Sequence, residues 1–523
     1  MSLREALASA KPSTPPKSRA GPPAASPPSR TASVHAPAVG VPVAVEGLTA
    51  VVLAVLAGAV AVASPLAGVG AAVTAVLVTT IWLRPAIAAY LLIGITPLVA
   101  GIDRGVLIPM FRPNEALLLL LAATLTARGL VALRSGGVPV PRPDRIEWSI
   151  LLLAVTSSVL PLATMTVRAR EISGDDLMHA VVLWKLLGVY LVVRFSVRTD
   201  DEVRRCLQVS VAAASLVAAI GILQGLGLFG VRDLLAAFFT PFGYAGALAV
   251  PRGGSTLSLP AATADLMVMN VAVATGLWLR YRRALVPLSA AAALFVGATL
   301  AAGEFSSTIG LVLGIVALVV VTDSFALLSL FGLLGALGAV AVWPVIEERL
   351  QGFHSASGLP VSWLGRLNNL RGYFWPRLFS DGTYLLGVRP SARVQVGTEG
   401  FGWVWIESGY TWLLWGGGIP LLASFMFFVQ ATASRSWHVA RRCHDACGVA
   451  GAATFVSVIV ITALMVFDPH LTYRGSADEM FALVALTGCA ARRVGTAARD
   501  PSGSPGARPL ARPPHCTDAP SKE

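Results

Sequence analysis

The chain has 523 residues, of which 55% are hydrophobic and 13% are charged, and its mean hydropathy is +0.71. A soluble domain carries about 25% charged residues, and one soluble core stops growing beyond roughly 250–300 residues. This composition therefore excludes a soluble protein. The apolar runs are continuous and close to helix-spanning length, which also excludes the short alternating strands of a membrane β-barrel. The net charge of +12 is spread between these runs, so no nucleic-acid partner is expected.

The two ends of the chain differ from the middle. Residues 1–46 and 494–523 are rich in Pro, Ala and Ser. Proline prevents a helix, and such segments bury too little apolar surface to offset the entropy of ordering. Both are predicted to be disordered cytoplasmic tails. The N-terminal tail is not expected to be a signal peptide, because the first apolar run starts too late.

Between the tails, hydropathy predicts an all-α polytopic membrane protein with about 12–14 transmembrane helices. The predicted spans are 47–64, 67–82, 85–101, 113–133, 147–166, 177–194, 203–228, 260–280, 284–302, 305–322, 324–343, 406–430, 447–467 and 476–491. We therefore expect a first membrane bundle over 47–343, one long extracytoplasmic loop over 344–405, and C-terminal membrane helices over 406–493.

The distribution of Lys and Arg sets the expected orientation, because these residues predominate in cytoplasmic segments. With the N-terminus inside, 26 of the 40 Lys and Arg residues fall on the inner side, 13 fall outside, and Lys185 lies within a span. Both termini are thus predicted to be cytoplasmic. No cysteine falls in an outward loop, so no disulfide is expected. Cys443 and Cys447 face inward and lack a second pair of zinc ligands.

The predicted outward loop is rich in aromatic residues and arginine. Aromatic faces stack on sugars or rest at the lipid interface, and arginine binds phosphate through two parallel hydrogen bonds. This combination suits a substrate with apolar, sugar and phosphate parts. The alternative is an interfacial aromatic belt with solvated arginines. The arginines concerned are Arg349, Arg366, Arg371, Arg377, Arg389 and Arg393.

Ionisable residues inside or at the edge of spans are costly and therefore informative. Lys185 lies in the middle of a span, and Asp265 lies one turn into another. Four more residues mark the predicted outer ends of spans: Glu304, Glu407, Asp468 and His470. Together they predict a polar cavity open to the outside. Lys185 has a second interpretation, as a buried ion pair with a carboxylate such as Asp265.

Three segments carry a resemblance to a known family. Residues 406–420 (IESGYTWLLWGGGIP) place a polar residue, a Tyr and then a Gly-Ile pair at the start of a span. Residues 366–390 contain Arg371, Trp375 and the turn LLGV at 385–388. Residues 251–256 (PRGGST) precede another span. In these features the chain resembles the O-antigen ligase and polysaccharide polymerase superfamily. The resemblance covers roughly 240 residues, and the first half only through its span architecture and Lys185.

The sequence departs from the family pattern at three positions. Ligases carry a His in the closing segment, where this chain has Glu407. The acidic residue usually two before the Gly-Ile pair is Gly416 here, and the Ser-Arg pair that opens a middle span is replaced by a segment beginning Gly303-Glu304. The missing His favours a polymerase over a ligase and leaves the identity of the catalytic base open.

The resemblance implies an inverting, metal-independent membrane glycosyltransferase that needs no cofactor. Its donor and acceptor would be undecaprenyl-diphosphate-linked glycans, polymerised or ligated at the outer face of the cytoplasmic membrane. Glu407 and Arg371 are the expected catalytic residues. The expected substrate-binding residues are Arg252, Arg366, Arg389, Lys185, Trp375 and Tyr410. Glu407 is the candidate general base, with a span-end ion pair to an arginine as the alternative. The oligomeric state stays open.

Two other classes of protein fit parts of the pattern. A transporter of a lipid-linked glycan or another solute would also have 12–14 spans and an outward cavity. It would more often show internal repeats and broken paired spans, and the single long outward loop disfavours it. A peptidoglycan-type polymerase shares the chemistry but usually has fewer spans.

Overall fold

The structure is a computed structural model that describes residues 65–134, 143–239, 250–282, 285–351, 360–396 and 402–488. The predicted tails 1–46 and 494–523 and the predicted span 47–64 lie outside the described residues. The chain divides into two compact units, Met1–Ala72 and Val73–Glu523. Of the first unit only residues 65–72 are described, and they are helical. The candidate site belongs to the second unit.

Helices make up most of the described chain. The α-helices are α1 Pro65–Leu83, α2 Ala86–Val99, α3 Pro113–Arg134, α4 Arg145–Val167, α5 Gly174–Ala180, α6 Val182–Ser196, α7 Asp200–Leu226, α8 Val231–Phe238, α9 Pro260–Tyr281, α10 Leu285–Ala301, α11 Phe305–Thr322, α12 Ala326–Ala341, α13 Trp343–Leu350, α14 Val361–Asn369, α15 Trp375–Phe379, α16 Gly409–Arg442, α17 Ala446–Leu464 and α18 Ser476–Leu486. The remaining helical turns are 3₁₀ at Ser255–Leu257, Ser380–Leu385 and His470–Thr472, and π at Leu370–Phe374. Strands β1 Arg393–Gln395 and β2 Trp403–Trp405 pair in antiparallel register.

The apolar helices agree with the predicted fold class. Among the described residues, eight helical segments are long and apolar enough to cross a membrane, and α12 with α13 forms a ninth candidate bent by 82°. Three shorter apolar segments are Gly68–Leu83, Ala86–Val99 and Val286–Ala301. The chain is thus an all-α polytopic membrane protein. The total of 12–14 spans stays a prediction.

Several predicted spans differ in detail from the observed helices, and the last, 476–491, is a helix only over Ser476–Leu486 within the described residues. The span predicted to end at residue 430 continues to Arg442 as α16, because neither Pro nor Gly interrupts residues 421–442. The span predicted over 177–194 is interrupted at Val181, between α5 and α6. The span predicted over 324–343 ends in the sharp bend at Val342. Much of the predicted loop after it is helical.

Helix α9 is the most buried of the candidate spans, with 89% of its apolar window inside the protein. It packs against α7, α10, α11 and α17. Small residues permit these close approaches, as is usual between membrane helices. A Cβ atom at Gly276 of α9 would lie 2.7 Å from the Val449 side chain, and one at Gly314 of α11 would lie 2.6 Å from Val268.

Residues predicted to lie on the inner side come together in the structure. The Arg280 guanidinium donates to the carbonyl oxygens of Ala440 and Cys443, at 3.2 and 3.1 Å. Asp144 pairs with Arg435 at 2.5 Å and with Arg194 at 3.5 Å. Each contact joins segments that the charge pattern assigns to the same side.

The orientation can be tested by chemical labelling. After the native cysteines are replaced, Ser380→Cys should react with an impermeant thiol reagent in intact cells, because Ser380 is exposed in the predicted outward segment. Arg198→Cys, exposed on the predicted inner side, is the control and should react only after the cells are opened. Labelling in the reverse order would invert the topology.

The turn at 385–388 crosses the start of α16 where three glycines follow one another. Gly418 interrupts this helix with φ +66° and ψ −156°, and a Cβ atom there would lie 2.5 Å from the Leu385 carbonyl. Gly387 has φ +88°, and its Cβ atom would lie 2.8 Å from the Gly417 backbone nitrogen. The backbone nitrogen of Val388 donates to the carbonyl of Trp415 at 2.7 Å. Two of the segments that carry the resemblance therefore pack directly against each other.

The crossing of the 385–388 turn and α16 predicts that alanine will destabilise the protein at one glycine of α16 but not at another. Gly418→Ala should lower the thermal unfolding midpoint in detergent, because its backbone conformation alone costs about 1–3 kcal/mol in other residues and the new Cβ atom overlaps Leu385. Gly416→Ala is the matched control, because its Cβ atom would meet only Leu421 at 3.7 Å. Equal midpoints for the two variants would contradict the observed crossing.

Candidate functional site

A cavity of about 290 Å³ lies where α10, α11, α13, α14 and α16 begin or end. Polar and apolar atoms contribute about equally to its lining, and its five charged side chains come from five separate segments of the chain. The lining residues are Arg252, Glu304, Arg349, Ser362, Gly365, Arg366, Asn369 and Glu407. Three of the predicted site residues, Arg252, Arg366 and Glu407, thus share one cavity.

The segment that carries Arg252 is fixed by backbone contacts. The nitrogen of Gly253 donates to the Ala301 carbonyl at 2.9 Å, at the end of α10. A Cβ atom at Gly253 would lie 2.7 Å from the Gly221 carbonyl of α7, so only glycine allows this approach. The nitrogen of Ser255 donates to the Gln224 side chain at 2.7 Å. The close approach that Gly253 permits therefore fixes the backbone next to Arg252.

One wall of the cavity is built around Glu304, the residue just before α11. Its carboxylate bridges two arginines, with Arg252 Nη1 3.2 Å from Oε1 and Arg349 Nη2 3.6 Å from Oε2. Gly303, at φ +64°, lies beside both arginines: a Cβ atom there would be 3.1 Å from Val345 and in ordinary contact with the stems of Arg349, at 3.6 Å, and Arg252, at 3.8 Å. The Arg349 guanidinium also lies over the Phe305 ring, 5.4 Å from its centre.

The opposite wall is built around Arg366 of α14. Its Nη1 lies 2.6 Å from Asp468 Oδ2, and its Nε lies 3.8 Å from Glu407 Oε1. Asn369, one turn later, donates to Glu407 Oε2 at 3.0 Å. Burial raises the pKa of Asp468 to about 6, with the negative charges of Glu407 and Glu304 adding to it and the positive charge of Arg366 opposing it. Burial alone would lower the pKa of Arg366, but the charge of Asp468 raises it.

A buried histidine–carboxylate pair lies next to this wall. His470 Nδ1 is 2.7 Å from Asp265 Oδ2, and both side chains are almost completely buried. The backbone nitrogen of His470 donates to the Asp468 carbonyl at 2.8 Å, which connects the pair to the partner of Arg366. His470 Nε2 has no hydrogen-bond partner among the described residues. This pair anchors the 465–475 loop to α9.

Two predicted substrate-binding aromatic residues have structural contacts outside the cavity lining. Tyr410 donates its hydroxyl to the Thr462 carbonyl at 2.8 Å, which joins α16 to α17. Trp375 donates its ring N–H to the Thr411 hydroxyl at 3.3 Å. Arg371 is exposed in the π-helical turn and does not line the cavity.

The other two predicted substrate-binding cations are engaged in ion pairs away from the cavity. Arg389 binds Asp176 through two parallel hydrogen bonds, at 2.8 and 2.5 Å. Lys185 lies 2.7 Å from Asp478. The second interpretation of Lys185, a buried ion pair with a carboxylate, agrees with this contact. The suggested partner Asp265 is wrong, because Asp265 contacts His470 instead. The packing of the helices determines whether Asp478 or Asp265 lies next to Lys185. No local sequence pattern predicts this packing.

The cavity also contains residues that the sequence did not single out. Arg349 was one of several arginines in the loop, and the 82° bend between α12 and α13 is what carries it into the cavity. Asn369 stands three residues after Arg366 on α14, a spacing that places both on one helix face. This spacing could therefore have identified Asn369 as a site residue from the sequence. Pro344, at the first turn of α13, marked a helix start inside the predicted loop.

One group of possible metal ligands lies elsewhere in the described chain. Asp200, Asp445 and Cys447 offer ligand atoms within 4.8 Å of one another. Asp200 accepts a hydrogen bond from the Ala446 nitrogen at 3.0 Å, and Asp445 accepts one from the Gly448 nitrogen at 3.2 Å. Capping of α17 accounts for both carboxylates.

Comparisons with protein families, with curated proteins and with solved structures find no match for this chain.

The raised pKa of Asp468 predicts a pH-dependent difference in stability. The folded protein holds this proton more tightly than the unfolded chain, because the pKa moves from 3.8 to about 6 on folding. Wild-type stability should therefore fall relative to that of Asp468→Asn as the pH rises from about 4 to about 6. Above that range the difference should stay constant. Thermal unfolding midpoints of the two proteins across pH measure this, and parallel curves would contradict it.

Proposed function

We propose that the protein is a membrane glycosyltransferase that polymerises or ligates glycans linked to a lipid diphosphate. The observation that carries the proposal is the cavity in which Arg252, Arg349 and Arg366 converge with Glu407. Transfer of a glycosyl group from a lipid diphosphate needs a base near the acceptor and positive charge near the leaving group. The polar cavity offers both, at one end of an apolar helix bundle.

The proposed reaction is a direct, inverting displacement. The acceptor hydroxyl gives its proton to the Glu407 carboxylate while its oxygen attacks the anomeric carbon of the donor sugar. The bond between that carbon and the diphosphate oxygen breaks, and its electron pair leaves with the lipid diphosphate. One glycosidic bond forms and one glycosyl–phosphate bond breaks, so no oxidant, reductant or metal is required for balance.

Glu407 suits this role because of what holds it. Asn369 fixes one carboxylate oxygen at 3.0 Å, and the Arg366 contact on the other side is long, at 3.8 Å. About 31% of the Glu407 side chain is exposed, whereas Arg366 is tied tightly to Asp468 instead. A hydroxyl group therefore has access to an oriented carboxylate. The exposed Arg371 would contact substrate outside the cavity.

A transporter of a lipid-linked glycan is the second candidate function. The observation that favours it is a polar network inside the bundle, where Lys185 pairs with Asp478 and Glu479 accepts a hydrogen bond from Ser210 at 2.6 Å. Charges within the membrane often mark transport pathways. Proteoliposomes separate the two functions: a transporter moves a labelled lipid-linked glycan between leaflets without lengthening it.

The glycosyltransferase proposal predicts a specific effect of Glu407→Gln. Purified wild-type protein in proteoliposomes should lengthen a lipid-diphosphate-linked oligosaccharide. The nearly isosteric variant should lower turnover about 10²–10⁴-fold, the usual contribution of a general base, while donor binding stays almost unchanged. If donor binding falls in step with turnover, Glu407 serves to position Arg366, and if neither changes, it is a span-end ion pair.

A further inference from the structure

We infer that Arg252 and Arg349 form a binding site for a phosphate group, and that Glu304 fills this site in the empty protein and must be displaced by the ligand. The inference rests on the proposed function, because the phosphate group would belong to the lipid diphosphate. It assigns a role to Glu304, which the glycosyl transfer itself does not use, and a specific ligand group to Arg252 and Arg349.

The carboxylate of Glu304 stands where a phosphate would bind. Each of its oxygens faces a different guanidinium group, from Arg252 on one side and Arg349 on the other. Two arginines on one small anion is the arrangement by which proteins hold phosphate groups. A carboxylate that bridges them imitates two of the oxygens of such a group.

The bridge is loose compared with a good ion pair. Charge-assisted hydrogen bonds between nitrogen and oxygen are usually about 2.7–2.9 Å long, and the two contacts of Glu304 measure 3.2 and 3.6 Å. The Arg366–Asp468 contact in the same cavity measures 2.6 Å. Glu304 is therefore the anion that a competing ligand would displace, whereas Asp468 would stay in place.

The two arginines have more donors than Glu304 can use. A guanidinium group offers five N–H donors, and a carboxylate carries only about four acceptor sites. The Nε atoms of both Arg252 and Arg349 are buried and have no hydrogen-bond partner among the described residues. A phosphate group brings more oxygens and more charge, so it would satisfy donors that the carboxylate leaves unused.

The site of Arg252 and Arg349 is also preorganised for a ligand. Both arginine stems lie beside Gly303, where a Cβ atom would be 3.6 Å from the Arg349 stem and 3.8 Å from the Arg252 stem. The Gly253–Ala301 backbone hydrogen bond and the Phe305 ring fix Arg252 and Arg349 from either side. Arginines held in this way lose little conformational entropy on binding, which favours affinity.

The two arginines would also favour a diphosphate over other lipids. A phosphodiester headgroup carries one negative charge, whereas a diphosphate carries at least two and so gains more from the two arginines. Either ligand must displace Glu304, so competition by Glu304 would lower both affinities by the same factor.

The test measures binding to the purified full-length protein in detergent, with three probes: inorganic pyrophosphate, farnesyl diphosphate and farnesyl monophosphate. Glu304→Gln should bind inorganic pyrophosphate roughly tenfold more tightly or better, because a like charge has been removed. It should also bind both farnesyl ligands more tightly, because each must displace the same carboxylate. Glu347→Gln makes the same charge change at an exposed position of α13 and should match wild type.

Two further variants test the arginine without removing the carboxylate. Arg349→Ala should weaken the binding of both diphosphates about tenfold or more, and Arg349→Lys should recover only part of it, because a lysine gives a point charge rather than a fork. Size-exclusion profiles and thermal midpoints identify any variant that fails to fold. If Glu304→Gln is such a variant, the arginine pair decides the outcome.

The outcomes separate this inference from the proposed function. Unchanged pyrophosphate affinity in folded Glu304→Gln, or in folded Arg349→Ala, overturns the inference even if the wild-type protein lengthens glycans. The expected binding pattern in a protein that lengthens no glycan supports the phosphate site and overturns the glycosyltransferase proposal. Binding of inorganic pyrophosphate without farnesyl diphosphate overturns the lipid origin of the ligand.

Discussion

Arginines of the long segment between α12 and α16 pair with carboxylates at the ends of the membrane helices, and the site depends on these pairs. Arg366 reaches Asp468 after α17 and Glu407 before α16, and Arg349 reaches Glu304 before α11. Arg389 and Arg393 reach the start of α5 in the same way. Most of these side chains are only partly exposed, so removing one partner would leave a partly desolvated charge without compensation. The pairs therefore fix the segment over the bundle.

The same pairs make the cavity chemically useful. A charge that leaves water needs a partner, but a pair that stays partly open to water can exchange its partner for a ligand. Arg366 is tightly bound to Asp468 and makes only a long contact with Glu407, so the Glu407 carboxylate, held by Asn369, would be open to an acceptor in the proposed reaction. The looser Glu304 bridge instead leaves Arg252 and Arg349 available to an incoming anion. Arginine–carboxylate pairs would thus form both walls of the cavity. The wall of Arg366 would stay in place, and the wall of Glu304 would rearrange when an anion binds.

Glycines allow the close backbone contacts that bring the arginines and carboxylates of these pairs together. Gly253 and Gly303 bring the segments of Arg252 and Glu304 together, and Gly418 allows the 385–388 turn to cross α16. Inside the bundle, polar groups follow the same rule as the arginines, because the hydrocarbon offers them no partner. Lys185 is paired with Asp478, and Asp265 with His470.

The sequence by itself determined the class of fold and most of the helices, because long apolar runs have one stable solution in a membrane. It also singled out Glu304 and Glu407, because charged residues at span ends are rare and costly enough to stand out, and the family resemblance pointed to Arg252 and Arg366. Only the tertiary structure decided which charges meet. It placed Arg349 in the cavity through an 82° bend, and it gave Lys185 to Asp478 rather than Asp265. These choices depend on distances between helices far apart in the chain, and local sequence patterns contain no record of such distances.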